Sequence, residues 1–322
     1  MTKIVTQIGM AIWGIILKYA ISKDKVASIV AYIIKYFLNE SNYTYFPFWE
    51  QNGFHITPNH FYQPIPDTRM LKNKLWEKES KLVGIDMNSE FQLHLLQNVF
   101  PKYSDEYNKF PQNKTDIPYE FCFNNSSFSG TDALVLYCMV RYFKPEMIIE
   151  VGSGYSTFVS ANASLRNGNT KLICIEPYPN EILKQGFSGL TDLIPQKVED
   201  VDLDFFSELE SGDILFIDTS HVVKIGGDVN FLYLEVLPRL KKGVIVHIHD
   251  IFFPMEFPKS WVLDLHLFWT EQYLLQAFLA FNSAFKILFC NSYMGLKYHS
   301  EMKSTFPYSS FYGGGSIWIQ KI

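Results

Sequence analysis

Two short stretches of the sequence contain side chains suited to acid–base chemistry or metal binding. The first, D-T-S-H, contains Asp218 and His221, and the second, H-I-H-D, contains His247, His249 and Asp250. Each stretch follows a run of apolar residues typical of a buried strand. Because an unpaired charge or imidazole is costly to bury, these strand ends are expected to face the mouth of a site. We expect His247, which lies earlier in its strand, to be a hydrogen-bonded core residue rather than a ligand.

A glycine-containing turn precedes both stretches in the chain. It reads E-V-G-S-G-Y-S-T, residues 150–157, and follows the first strand-like run. Gly152 and Gly154 allow a tight turn and let a ligand approach the backbone. The helix expected to begin near Ser156 directs its free N–H groups at that ligand. No third glycine completes G-x-G-x-x-G, which favours a nucleoside carrying an amino acid over a dinucleotide.

Carboxylates follow the next two strand-like runs. Glu176 ends the second run, where an acid can bind both hydroxyls of a ribose. Glu199 and Asp200 end the third run, within reach of an adenine edge. A G-x-G pair alone is weak evidence, but these acids together with the turn indicate a nucleoside site.

The elements that must position these residues alternate between short apolar runs and helix-length segments. This alternation predicts a parallel sheet with helices on both faces. The last two runs lack a clear helix between them, which predicts an antiparallel edge. The seven predicted strands are MIIEV (147–151), KLICIE (171–176), LIPQKV (193–198), DILFID (213–218), GVIVHIHD (243–250), FKILFCN (285–291) and SIWIQKI (316–322).

The turn, the acid at Glu176 and the order of strands resemble the class I S-adenosylmethionine-dependent methyltransferases over about residues 125–322. The resemblance implies a Rossmann-like, seven-stranded, mostly parallel sheet whose seventh strand is antiparallel. A related nucleotide-binding domain, or one that has lost its ligand, is the alternative. S-adenosylmethionine is the implied cofactor, and the implied binding residues are Glu150, Gly152, Ser153, Gly154, Ser156, Thr157, Glu176, Glu199, Asp200 and Asp218.

The two polar stretches should converge, because neighbouring parallel strands of such a sheet end side by side. Their arrangement resembles the metal-dependent O-methyltransferases of the catechol and sugar types. That resemblance implies a divalent metal bound by Asp218, His249 and Asp250, with His221 as the catalytic base. This chain has His249-Asp250 where those enzymes have Asp-Asp or Asp-Asn. Mg²⁺ or Mn²⁺ is expected, but Fe²⁺ and Zn²⁺ stay open because a histidine is a softer ligand than Mg²⁺ prefers. His249 is alternatively a base or a residue behind the ligands.

Three functions follow from these patterns. The first is an O-methyltransferase that transfers a methyl group to a hydroxyl of a carbohydrate-like or other small-molecule acceptor. The second is a metal-independent methyltransferase with His221 as its sole base. The third is a non-catalytic binding protein that keeps the methyltransferase fold.

Composition narrows the partners and the compartment. The chain has 322 residues, 48% hydrophobic and 19% charged, with a net charge of −5, as in a globular protein. It has no block of lysine and arginine that would follow a phosphate backbone, which argues against nucleic acid as a partner. Four cysteines without paired spacing favour a reducing, cytoplasmic location.

The sequence predicts an accessory region over 1–120 and a methyltransferase domain over 121–322. Within the accessory region, the aromatic and polar stretch 53–67 is a candidate lid over the acceptor. The apolar stretches 8–17 and 25–38 are too short to span a bilayer. We expect them to pack on the body or on a second subunit, or to contact a membrane surface.

Overall fold

The computed structural model describes residues 22–40 and 45–322. The chain divides into two compact units, Met1–Leu71 and Lys72–Ile322. The apolar stretch 8–17 lies outside the described residues, whereas 25–38 falls within a helix. Within the described ranges, no helix is long and apolar enough to cross a membrane. The elements of the first unit are α1 (Lys23–Glu40), α2 (Phe46–Gln51) and a 3₁₀ turn (Thr68–Met70).

The second unit is built on a seven-stranded sheet in the order β3-β2-β1-β4-β5-β7-β6. Only β7 runs antiparallel to its neighbours β5 and β6. The fold is therefore the predicted Rossmann-like α/β sheet, with its antiparallel strand as expected. The strands are β1 (Met147–Val151), β2 (Lys171–Ile175), β3 (Asp192–Ile194), β4 (Ile214–Ile217), β5 (Ile245–Ile248), β6 (Phe285–Cys290) and β7 (Ile317–Lys321).

Helices cover both faces of this sheet, because alternate strand residues pack into two separate buried apolar clusters. Four shorter turns of helix lie between these elements. Two are π-helical, Leu95–Val99 and Leu232–Val236, and two are 3₁₀, Phe100–Tyr103 and Val198–Asp200. The helices are α3 (Lys74–Glu77), α4 (Ser89–His94), α5 (Ser104–Tyr107), α6 (Gly130–Phe143), α7 (Tyr155–Asn167), α8 (Glu181–Gln185), α9 (Leu203–Phe206), α10 (Asp228–Phe231), α11 (Leu237–Arg239), α12 (Lys259–Leu263), α13 (Glu271–Leu279), α14 (Asn291–Lys297) and α15 (His299–Thr305).

Two details of the sheet differ from the sequence prediction. The third strand is shorter than predicted and ends at Ile194, because Pro195 has no N–H to donate to a neighbouring strand. The last two strands are separated by α14 and α15, so the expectation of no helix there was wrong. These helices bury Met294 and Met302, whose short apolar pattern gave little signal in the sequence.

Residues 72–120 belong to the same compact unit as the sheet. Asn88, for example, donates from Nδ2 to the carbonyl oxygen of Ile287 in β6 at 2.8 Å. Leu95, Leu96 and Phe100 are fully buried in the cluster on one face of the sheet. The functional boundary at residue 120, between an accessory region and a methyltransferase domain, stays a prediction.

The register of three central strands places the candidate residues. Val151 at the end of β1 pairs with Ile217 at the end of β4, which in turn pairs with Ile248 at the end of β5. The three strands therefore end at the same level. Gly152, Asp218 and His249, each the next residue along its strand, start side by side at the carboxyl edge of the sheet.

Candidate active site

The glycine turn after β1 fits tightly against the end of β4. Gly152 has φ +81°, and a Cβ added there would lie 1.7 Å from the carbonyl oxygen of Asp218. Asp218 N donates to the carbonyl oxygen of Val151 at 2.9 Å, which keeps the two chains in contact. Only glycine fits this position, because any side chain would separate the turn from Asp218. At Gly154, by contrast, an added Cβ would meet no heavy atom within 4 Å among the residues that the structure describes, its chain neighbours aside.

Four side chains converge just beyond these strand ends. His221 Nε2 lies 3.2 Å from Asp218 Oδ1 and 3.3 Å from Asp250 Oδ2. On the other side of the ring, His221 Nδ1 lies 2.9 Å from Glu271 Oε2. His221 is 4% exposed and Glu271 is fully buried. The two distant stretches of the sequence therefore meet as predicted, and a third stretch, at the start of α13, joins them.

One donor atom from each of Asp218, His221 and Asp250 lies within 4.8 Å of the other two. His221 and Asp250 both have left-handed backbone, with φ +57° and +56°. Such a conformation is unfavourable for residues other than glycine and is commonly found at functional sites. The backbone thus turns both side chains toward one point.

His249 lies outside this group of donors. Its Nδ1 is 3.3 Å from Ser316 Oγ, and its Nε2 is 3.7 Å from Asp250 Oδ1. Its ring packs against Phe128, with the centroids 4.9 Å apart. The structure therefore brings His221, rather than His249, into the cluster with the two aspartates.

His247 is a core residue, as expected, but it is not hydrogen-bonded. Neither of its ring nitrogens has a partner among the described residues. The ring stacks on Phe216 at 4.0 Å and meets the edge of Trp318 at 4.6 Å. The prediction of a hydrogen-bonded residue was wrong because the faces of the sheet around it are filled with aromatic side chains.

The carboxylates control the charge of His221. Burial lowers the pKa of this imidazole, but hydrogen bonds to Asp218 and Glu271 outweigh burial and raise the pKa to about 10. Without a cation in the cluster, His221 therefore holds both of its protons at neutral pH.

A cavity of about 440 Å³ lies beside the glycine turn, between the ends of β1, β2 and β4. Of the residues predicted to bind the cofactor, Gly152, Glu176, Glu199 and Asp218 line it. Glu176 accepts from Ser153 N at 3.2 Å and from Tyr178 N at 2.8 Å, so its carboxylate is held at the cavity wall. The cavity is within the usual size range of small-molecule sites.

The other predicted cofactor residues do not line this cavity. Glu150 is fully buried under the turn and accepts from Ser156 Oγ at 2.7 Å and from Thr157 Oγ1 at 2.9 Å. Burial raises the pKa of Glu150 to about 8 against the effect of these two hydrogen bonds. Ser153 and Gly154 form the turn itself, and Asp200 ends the 3₁₀ turn Val198–Asp200. Both hydroxyls therefore donate to Glu150, and these hydrogen bonds support the turn from beneath.

Sequence reasoning missed two residues that shape the site. Glu271 gave no signal, because an acid in the first turn of a helix is common. Asp228 begins α10, but its carboxylate accepts from Ser220 N at 2.9 Å and Ser220 Oγ at 2.6 Å. It therefore fixes the loop that carries His221.

A family model described as a methyltransferase domain matches residues 149–251. An uncharacterized protein of Archaeoglobus fulgidus is 34% identical to this chain over an alignment of 168 residues. The alignment covers 49% of this chain and 75% of that protein. The sheet order, the antiparallel seventh strand and the glycine turn define a class I S-adenosylmethionine-dependent methyltransferase. The family model identifies a methyltransferase domain in the part of the chain that runs from β1 to the end of β5, and the sheet has the strand order of that class.

Several solved structures are similar at low identity. Podospora anserina methyltransferase PaMTH1 bound to SAH is 14% identical, with 70% of this chain and 88% of that chain covered and a TM-score of 0.39. The O-methyltransferase TomG from Streptomyces achromogenes, in complex with SAM, is 14% identical, with 78% and 99% covered and a TM-score of 0.37. An O-methyltransferase from Bacillus cereus with SAH is 15% identical, with 71% and 100% covered and a TM-score of 0.38. These likenesses are too distant to assign residues or a substrate.

Proposed function

We propose that this methyltransferase is an O-methyltransferase that acts on a hydroxyl of a small-molecule or carbohydrate-like acceptor with the help of a divalent cation. The observation that carries the proposal is the convergence of Asp218, His221 and Asp250 next to the glycine turn. Two carboxylates and an imidazole at the cofactor edge of the sheet are suited to removing a proton from a hydroxyl.

The cavity beside the turn fits a nucleoside cofactor. Gly152 brings the backbone close, and apart from its neighbours in the chain no heavy atom of the described residues lies within 4 Å of where a side chain at Gly154 would begin. S-adenosylmethionine supplies a methyl group that is already activated on a sulfonium. We propose that Glu176 binds the ribose and Glu199 borders the adenine. Asp218 and the turn then face the end of the cofactor that carries the methyl group.

The donor set of the cluster fits a divalent cation. Asp218 Oδ1 and Asp250 Oδ2 both lie close to one point beside the ring, at 3.2 and 3.3 Å from His221 Nε2, and carboxylate oxygens are the ligands that hard divalent cations prefer. We propose that Asp218 and Asp250 bind the cation, with His221 beside it and His249 behind Asp250. A bound cation lowers the pKa of an acceptor hydroxyl. Since an imidazole is near, Mn²⁺, Fe²⁺ and Zn²⁺ are candidates together with Mg²⁺.

The charge of His221 favours this proposal over a metal-free one. A metal-free base must be neutral, but the pKa of His221 is raised to about 10 by its carboxylate partners. His221 can lose its proton once the charge of Asp218 and Asp250 is compensated. Nε2 then accepts the proton of the acceptor hydroxyl, and the protein supplies alignment.

Contacts outside the site are also part of the proposal. The acceptor is a small molecule or glycan, and the lid over it within residues 1–120 stays a prediction from the sequence. α1 exposes Ile29, Val30, Tyr32 and Ile33. Such an apolar surface is suited to binding a second copy of the chain or to peripheral contact with the cytoplasmic side of a membrane.

Mn²⁺ titration of the full chain tests the metal site, with water-proton relaxation as the signal. We expect the wild type to bind Mn²⁺ and Asp250→Asn to lose most of that binding. Asp213→Asn is the matched control, since Asp213 is a buried carboxylate at the opposite end of β4. Equal Mn²⁺ affinity in all three proteins would remove the metal from the proposal. Methyl transfer from S-adenosylmethionine to a panel of catechols and methyl glycosides tests the reaction itself.

A further inference from the structure

Glu271, the first residue of α13, is a fully buried carboxylate whose neighbours include His221 and the hydroxyl of Tyr233. Its Oε2 accepts from His221 Nδ1 at 2.9 Å. Its Oε1 has no hydrogen-bond partner among the described residues. A buried carboxylate costs stability unless a partner compensates its charge, and of His221 and Tyr233 only the imidazole of His221 can be a cation. The contact with His221 is therefore the specific interaction of this carboxylate.

The backbone before Glu271 holds the same histidine. Thr270 N and Glu271 N both donate to the carbonyl oxygen of His221, at 2.8 and 3.0 Å. Val223 N donates to Thr270 Oγ1 at 2.7 Å, which ties the other side of the loop to the start of α13. The ring of Trp269 packs on the ring of His221 with centroids 4.3 Å apart. Residues 269–271 thus hold both the backbone and the ring of His221 in its left-handed conformation.

These contacts determine which ring nitrogen of His221 faces the two aspartates. Where Glu271 Oε2 accepts in this contact, Nδ1 carries the proton. The opposite nitrogen, Nε2, is then directed at Asp218 and Asp250. A base whose other nitrogen is held by a third group is the usual arrangement in sites where a histidine moves a proton.

We infer that Glu271 is a positioning residue, which keeps the proton on His221 Nδ1 and directs Nε2 at the pair Asp218 and Asp250. The inference deepens the proposed function, on which it rests for the role of His221 as the base. Glu271 acts only through His221 and does not itself contact the acceptor or the cofactor.

The direct test is the ¹H–¹⁵N spectrum of the full chain labelled with ¹⁵N-histidine, without any acceptor. The chain has eight histidines, and the His221 signals are assigned by their absence from His221→Gln. We expect a protected Nδ1–H resonance in the wild type and its loss through exchange with water in Glu271→Ala. Glu271→Gln should retain it, because the amide oxygen still accepts. Persistence of the resonance in Glu271→Ala would overturn the inference.

A second readout uses whichever catechol or methyl glycoside of the panel is methylated. We expect Glu271→Ala to lower kcat about 10- to 100-fold, with little change in affinity for S-adenosylmethionine. Gln276→Ala, which removes a side chain from the same helix far from His221, should retain kcat. Equal kcat in both variants would contradict positioning. If the wild type methylates no acceptor but the resonance behaves as expected, the proposed reaction fails and the positioning of His221 stands.

Discussion

Two buried histidines of this chain lie in opposite environments. His221, after β4, has three carboxylates around its ring nitrogens, and burial is outweighed so that its pKa rises to about 10. His247, within β5, lies between Phe216 and Trp318. Burial, with a smaller contribution from His249, holds its pKa well below the usual value. Similar burial therefore leaves one histidine protonated and the other neutral, and the neighbouring carboxylates decide which histidine can exchange a proton with a ligand.

The largest expected difference between the two histidines is in catalysis. We expect His221→Gln to lower kcat about 10²- to 10⁴-fold, the usual contribution of a general base, with affinity for S-adenosylmethionine nearly unchanged. His247→Leu should retain kcat, because the ring of His247 packs on aromatic neighbours and on His249 and is not one of the three clustered donors. Steady-state rates on a responsive panel acceptor and calorimetry with S-adenosylmethionine measure both effects. A loss of cofactor affinity as large as the loss of kcat would make His221 a structural residue.

The second effect concerns the backbone that brings the turn to Asp218. Gly152→Ala should lower the free energy of unfolding by roughly 2 kcal/mol or more, because the added Cβ meets the carbonyl oxygen of Asp218 at positive φ. Gly154→Ala, whose Cβ would meet no heavy atom within 4 Å, serves as the control and should retain stability. Urea unfolding of both variants is the measurement. Similar stability in the two would mean that the close approach at Gly152 is not required.

A smaller and opposite effect is expected at His247. Replacing it by leucine removes two buried nitrogens without partners among the described residues, so we expect stability to be unchanged or to rise by about 1 kcal/mol. Phe216→Leu is the comparison, because it removes the stacked ring and should destabilise the core. Urea unfolding at constant pH distinguishes the two. Clear destabilisation by His247→Leu would indicate that the imidazole has a partner such as a buried water.

The last comparison is the pH dependence of stability, measured with EDTA present to keep cations away. The raised pKa of His221 gives stability that is complete below pH 6.5 and is lost as the pH rises toward about 10. His247 works the other way, since the unfolded chain binds its proton more readily than the fold does. It therefore lowers stability as the pH falls below 6.5.

The matching variants separate these two contributions. The stability difference between wild type and His221→Gln should shrink from pH 6.5 toward pH 10. The free energy of unfolding of His247→Leu should rise relative to that of the wild type as the pH falls below 6.5. Urea unfolding across this range measures both, and parallel curves for wild type and either variant would contradict the assigned charge of that histidine.

Much of the fold was predictable, because its signals are local. The apolar runs predicted all seven strands, and Gly152 marked the turn that only a residue without a side chain can make. The missed helices α14 and α15 are short and lack a strong apolar period. Pro195 ended β3 early, although the predicted strand extended to Val198.

The sequence alone determined that a glycine turn follows β1 and that ionisable side chains follow β4 and β5. Strand length and side-chain type are properties of short stretches. Only the tertiary structure decided that His221 rather than His249 joins the two aspartates, and that Glu271 holds it. The reason is that Glu271 lies fifty residues from His221 in the chain. A contact across that distance depends on how α13 packs against the loop after β4, which no local pattern records.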